Sequence, residues 1–273
     1  MSVRRDELTD PAADAAIEQA CRILRLPTIR DRHSEIAAAA ARQQAGYKPF
    51  LTELLSLECD DRDARRRARL LREAVFPRPK RIEDFDFTAN PDVPAALIHT
   101  LARCRWIADG QPLCLIGDSG TGKSHLLIGL GTAAAENGYR VRYVTAAALV
   151  NELVEASDDR SLSRVVGRYG RYDLLCLDEL GYIELDRRGA ELLFQVFTER
   201  EEKASIAIAS NAAFSEWTSA FTDPRLCAAI VDRLTYDGHI ITTGTSSYRL
   251  RATARRHGTR TVPAPATERN DPS

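Results

Sequence analysis

Leu113-Cys114-Leu115-Ile116, then Gly117-Asp118-Ser119-Gly120-Thr121-Gly122-Lys123-Ser124, then Leu126-Leu127-Ile128 reads as a buried strand, a glycine-rich turn and an apolar helix. The turn has the spacing Gly-x4-Gly-Lys-Ser, the P-loop pattern that cradles phosphates. Its glycines remove the Cβ atoms that would keep backbone N–H groups from curling around an anion. The helix that begins near Lys123 adds the positive end of its dipole. Lys123 is placed to reach the β/γ-phosphates of a nucleotide, and the Ser124 hydroxyl to help hold Mg2+. A chance glycine turn is the competing reading. The strand before the turn and the helix after it stand where a phosphate loop needs them.

From Leu113 onward strand and helix alternate, which predicts a parallel five-stranded sheet between helices, an α/β fold. The expected strands are 113–116, 141–144, 173–177, 205–209 and 239–243, and the expected helices 123–136, 146–155, 160–169, 188–202 and 224–235. The strand Asp173-Leu174-Leu175-Cys176-Leu177 ends in Asp178-Glu179, the shape of a Walker B segment. Asp178 at the strand end would bind Mg2+, directly or through water. Glu179 would take the proton of an attacking water as general base. A carboxylate pair at a strand end says little alone and gains its meaning from the P-loop upstream. Strand 205–209 runs into Ser210-Asn211, where Asn211 either orients the lytic water or simply ends the strand in a turn. Arg233, late on an apolar-striped helix, and Arg249, just past the last strand, are cations able to stabilise charge on a transferring phosphate. The competing reading of each is a surface or helix-capping arginine, with Asp237 as a partner for Arg233. An Arg233 that acts on a neighbour's nucleotide would require an oligomer.

Upstream, residues 1–14 read as a loose polar tail containing Pro11. Helical periodicity covers 15–44 with a break at Leu26-Pro27-Thr28, and resumes at Phe50 after the turn Gly46-Tyr47-Lys48-Pro49. A basic run follows, in which Arg62, Arg65, Arg66 and Arg69 share one helix face. That face is either solvated surface or a contact for the phosphate backbone of DNA. Phe76-Pro77-Arg78-Pro79-Lys80 reads as a stiff linker. It gives a helical domain at 15–76 and an α/β domain at 77–252, with a helix from Pro94 to about Ala108. The final stretch, 253–273, has three prolines and no periodicity, so disorder is expected there.

The 273 residues carry a net charge of −1, which argues neither for nor against a nucleic-acid partner. Apolar residues make up 44% of the chain, enough for a buried core. Six cysteines are scattered without C-x-x-C spacing, so neither a disulfide framework nor a zinc site is expected. No leader-like apolar region and no membrane-spanning run is present, which leads to the expectation of a cytoplasmic protein with no membrane partner.

Taken together, these residues resemble the AAA+ ATPases, in the branch shared by IstB transposition proteins and DnaC-type helicase loaders. The resemblance runs from about Gly46 to Arg251. It rests on Phe50-Leu51-x-x-Leu54-Leu55, Phe76-Pro77, Phe85-Asp86-Phe87, Gly117 to His125, Leu177 to Tyr182, Ser210-Asn211, Phe214 to Trp217, Asp232-Arg233-Leu234 and Ser247 to Arg251. The Ser-Asn, Ser-Glu-Trp and Asp-Arg-Leu series looks most like IstB. The resemblance implies a P-loop AAA+ core behind a small all-helical N-terminal domain, without the separate helical lid of larger AAA+ proteins. It implies ATP and Mg2+ held by Gly117 to His125, with Asn211 at the sensor 1 position, Arg233 as arginine finger and Arg249 at sensor 2. It also implies double-stranded DNA bound by the helical domain, a homo-oligomer (ring or helical) and a transposase partner. A replicative helicase loader is the alternative in the same fold class. A small-molecule P-loop kinase would need an acceptor site and an arginine-rich lid, and neither is visible in the sequence. A slow, nucleotide-gated DNA scaffold is the third class, against which Asp178-Glu179 argues.

Overall fold

The computed structural model describes residues 10–182, 185–221, 223–245 and 247–248. It divides into two compact units, Met1–Arg69 and Leu70–Ser273. The border lies inside a helix rather than at the proline-rich stretch after Phe76. Leu70 and Ala74 are buried among residues of the α/β core, so the last turn of that helix belongs to the second unit.

The first unit is helical. Helix α1 (Asp10–Leu24) is followed by α2 (Pro27–Arg42) and by α3 (Tyr47–Glu73), whose end crosses the border. Helix α1 starts earlier than the expected tail allows, because Pro11 in a first turn needs no hydrogen-bond partner. Its core is small: Cys21, Ile29, Ile36 and Leu54. Glu58, 3% exposed, caps α2 from α3. Its carboxylate accepts the Thr28 and Ile29 backbone N–H groups at 2.8 and 3.2 Å.

The second unit continues with α4 (Ala95–Leu101), α5 (Arg105–Ala108), β1 (Leu113–Ile116), α6 (Lys123–Glu136), β2 (Val141–Thr145) and α7 (Ala146–Asp158). Then come α8 (Leu162–Gly170), β3 (Leu174–Leu180), α9 (Arg187–Arg200), β4 (Ser205–Ser210), α10 (Trp217–Ala220), α11 (Pro224–Thr235) and β5 (His239–Thr242). The strands form one parallel sheet in the order β2-β3-β4-β1-β5, so β1 is flanked by β4 and β5. This is the P-loop AAA+ core that the sequence leads one to expect. The single helix expected from Pro94 to Ala108 is instead two. Cys104 adopts φ 64°, and the Trp106 indole N–H donates to Leu101 O at 2.9 Å, closing α4.

Helices cover both faces of the sheet, which explains the unbroken apolar runs of its strands. Alternate residues feed two cores. Leu113, Leu115, Leu174, Cys176, Ala207 and Ala209 face α6, whereas Cys114, Leu175, Leu177, Ile206 and Ile208 face the α7 and α9 side. All six cysteines are free, and burial pushes the Cys114 thiol up to about 12. Among the described residues no helix is long and apolar enough to cross a membrane.

The 76–87 segment runs along α6, and two glycines of α6 explain how. A Cβ on Gly131 would lie 2.9 Å from the Phe76 ring, and one on Gly129 would lie 2.7 Å from Ile82. The segment therefore sits against the helix backbone, and this brings Arg78, Lys80 and Phe85 to the phosphate loop.

Candidate nucleotide site

Strand β1 delivers its glycine loop to the edge of a cavity of about 590 Å3, within the size range of small-ligand sites. Gly122, at φ 100°, is the residue before α6, and a Cβ there would meet Phe85 at 2.6 Å. The loop is pinned from behind. The Asn90 amide, 3% exposed, donates to Thr121 O at 2.8 Å and to Thr243 O at 3.0 Å. The hydroxyls of Thr121 and Thr243 are 2.6 Å apart. Lys123 donates to the carbonyls of Gly117 and Asp118 at 2.6 and 2.8 Å, so its ammonium lies inside the loop's curve.

The cavity brings together Ser119, Gly120, Thr121, Gly122, Lys123, Ser124 and His125 with Asp178, Glu179 and Asn211. These come from the loop after β1 and the start of α6, from the last residues of β3, and from the residue after β4, all at the carboxyl end of the sheet. Asp178 is buried at 4% exposure and held on both oxygens. Tyr143 Oη donates to Oδ2 at 2.8 Å, and the Glu179 N–H donates to Oδ1 at 2.9 Å. Burial and the Asp178 carboxylate push the Tyr143 phenol well above its ordinary range. Between Leu177 and Leu180 the β3–β4 register shifts, and Glu179 takes φ 63°. This bulge turns Glu179 out to solvent while Asp178 stays in.

Asn211 Oδ1 is buried without a hydrogen-bond partner beside this cavity. Its backbone is fixed by its neighbours. The Trp217 indole N–H donates to Ser210 Oγ and Ala212 O, both at 3.1 Å, and Trp217 is fully buried. His125 Nε2–H donates to Arg81 O at 2.8 Å, its ring meets Phe85 edge to face, and burial lowers its basicity.

A glycine cradle, an orphaned carbonyl oxygen and the hard oxygen donors of Ser124 and Asp178 fit a nucleoside triphosphate with Mg2+. Among the described residues no group of three or more His, Cys, Asp or Glu side chains is placed to hold a metal ion. Periodicity and motif spacing did not single out Arg78, Lys80, Asn90, Tyr182 or Tyr248, which also line the cavity. Tyr182 and Tyr248 do fall within the stretches 177–182 and 247–251 that carry the resemblance, Arg78 and Lys80 within the stiff linker, and Asn90 just after Phe85-Asp86-Phe87.

Arg233 is not in this cavity. It lines a separate one of about 390 Å3 with Pro112, Ala204 and Asp237, which precede β1, β4 and β5. Because the strands are parallel, the two cavities open at opposite ends of the sheet. Arg233 pairs with Glu201 at 3.0 Å and lies 4.5 Å from the Phe194 ring centroid. Its partner is therefore Glu201 rather than Asp237, which accepts from Gln111. Arg249 and the 253–273 tail lie outside the described residues, as do residues 1–9. In the helical unit the basic face is divided. Arg62 and Arg65 reach Glu58 at 3.5 and 3.4 Å, and Arg62 also donates to Arg25 O at 2.9 Å. Arg66 and Arg69 are exposed on the same helix.

The model of the IstB-like ATP binding protein family matches residues 19–256. The chain is 35% identical over 235 residues to an insertion sequence IS5376 ATP-binding protein of Geobacillus stearothermophilus, covering 86% of this chain and 94% of that one. It is 37% identical over 237 residues to an insertion sequence ATP-binding protein of Sinorhizobium fredii, covering 86% and 80%. Among solved structures, AMPPCP-bound DnaA from Aquifex aeolicus is similar in fold, with a TM-score of 0.50 and 21% identity. The match covers 65% of this chain and 55% of that one, about half its length. A family model that takes in most of the helical unit, the glycine loop and the carboxylate strand in one span leads to one assignment: the chain belongs to the IstB-like ATP-binding protein family.

Proposed function

We propose that this protein is a Mg2+-dependent ATPase that assembles as a homo-oligomer on double-stranded DNA and recruits or activates the transposase of an insertion sequence. The observation that carries the reading is the convergence of Lys123, Ser124, Asp178, Glu179 and Asn211 on one cavity from separate stretches of the chain. The names of the relatives, insertion sequence ATP-binding proteins, supply the biological setting.

In this reading the loop N–H groups and Lys123 bind the β/γ-phosphates. Ser124 and Asp178 hold Mg2+, which neutralises charge on the transferring phosphate. Glu179, turned outward by the β3 bulge, accepts the proton of the attacking water, and the Asn211 amide orients that water. Phe85, packed against Gly122, forms one wall of the cavity.

The test pairs two variants with ATP and duplex DNA. Glu179→Gln should retain ATP and DNA while turnover falls by about a hundredfold or more, the scale of losing a positioned base. Lys123→Ala should lose nucleotide affinity by at least about tenfold, because a charge-assisted phosphate contact disappears. Normal turnover in Glu179→Gln, or unchanged affinity in Lys123→Ala, would overturn the assignment. Nucleotide-dependent capture of a replicative helicase in place of a transposase would move the protein to the loader reading.

A further inference from the structure

Tyr143 is a polar residue that neither the glycine loop nor the carboxylate strand predicts, yet its hydroxyl touches the proposed Mg2+ ligand. It lies on β2, and β2 is the edge of the sheet, paired with β3 on one side. Its register partner on β3 is Cys176, two residues before Asp178, so the side chain leans along the strand to reach the carboxylate. The contact is a 2.8 Å hydrogen bond from Tyr143 Oη to Asp178 Oδ2.

Two further contacts fix where that hydroxyl stands. On the open edge of β2 the Tyr143 backbone N–H donates to Ala74 O at 2.9 Å, and Ala74 is fully buried. The Phe76 ring meets the Tyr143 ring edge-on, with centroids 6.2 Å apart. Phe76 is in turn seated over Gly131 of α6. A phenol held by its own backbone, by a neighbouring ring and by its acceptor has little freedom left.

We propose that Tyr143 is a positioning residue for the divalent cation, acting through Asp178, and that the Ala74–Phe76 segment sets its position. The proposal rests on the ATP reading above. With Oδ1 tied to the Glu179 N–H and Oδ2 to Tyr143, the carboxylate plane is fixed from both sides. The lone pairs left on the two oxygens are then held in a fixed orientation, in the cavity that Ser124 also lines. A carboxylate free to rotate would meet a cation, or a water on it, in many orientations, and Mg2+ demands near-ideal octahedral geometry. Outer partners of metal-binding side chains generally affect metal affinity without touching the metal.

The experiment measures equilibrium binding of a fluorescent ATP analogue to the full chain, in EDTA and across a Mg2+ titration. Tyr143→Phe keeps the ring packed on Phe76 and removes only the hydroxyl. We expect affinity in EDTA to stay within about twofold of wild type, and the Mg2+ concentration for half-maximal tight binding to rise by about threefold to thirtyfold, toward the range found for lost outer partners. In an Asp178→Asn background the same substitution should add nothing, because the two residues act as one unit. An unchanged Mg2+ midpoint would overturn the proposal. So would equal losses with and without Mg2+, which indicate a structural role only, or an additive effect in the Asp178→Asn background. Failure of the wild-type chain itself to bind the analogue would be a different result, sinking the ATP assignment.

Discussion

Asn211 and Glu179 both carry a local cost that packing does not repay. A buried amide oxygen without a donor costs about 1–3 kcal/mol, and Asn211 Oδ1 is such an atom. Glu179 holds φ 63° without being glycine, a conformation that costs of order 1–3 kcal/mol where it is retained. Residues kept against their own stability mark a site where something other than folding selects them. Asn211→Ala should therefore leave thermal unfolding unchanged or raise it slightly, while ATP turnover falls by at least about tenfold, the scale of a misplaced reactant. A turnover equal to wild type would return Asn211 to a strand-ending turn residue. The placement of Lys123 and Asp178 at the cavity was legible in the sequence because each stands at a motif position within one short stretch. Tyr143 and Asn90 were not, because each acts on a residue brought to it only by sheet register or by a loop crossing from far along the chain.

At the level of elements, all five strands and the longer helices between them followed from apolar runs and their spacing, whereas the short α10 did not. The failures have specific causes. The helix expected from Pro94 breaks because Cys104 turns left-handed, and nothing in its side chain announces that. The basic face of α3 looked uniform in sequence, but the buried Glu58 divides it. Arg62 and Arg65, though exposed, reach back to Glu58, whereas Arg66 on that face and Arg67 beside it are exposed without a Glu58 contact. If DNA is bound here, Arg66 and Arg67 should carry the phosphate contacts. Arg66→Ala with Arg67→Ala should reduce the slope of log K against log salt by up to about 1.8, at about 0.9 per lost contact. Thermal stability should hold. Arg62→Ala with Arg65→Ala should instead lower the unfolding free energy of the helical unit by about 1–2 kcal/mol, through weakened hydrogen bonds to a buried carboxylate. An unaltered salt slope in the first pair would make α3 a solvated face.

The whole molecule places Arg233 apart from the candidate nucleotide cavity. The cavity of Lys123 and Asp178 opens where the strands end, and Arg233 stands where they begin. No rotation of the Arg233 side chain spans the sheet, so within one copy the two cannot meet. If Arg233 completes a site, it completes a neighbour's, and Glu201 must release it first. Mixing inactive Lys123→Ala with inactive Arg233→Ala should then restore part of the ATPase activity, since some contacts pair an intact cavity with an intact arginine. Mixtures as inactive as their components would mean that Arg233 has no role in trans.

The parallel sheet has one further consequence, which concerns direction. A contact that joins the end of one sheet to the beginning of the next is head-to-tail, and repeats without reciprocity. Unless it closes on itself, an array built this way has two unlike ends: one last copy whose cavity no arginine completes, and one first copy whose arginine serves nobody. Such an array would lie along a duplex like an arrow, and a protein binding either end could read which way it points.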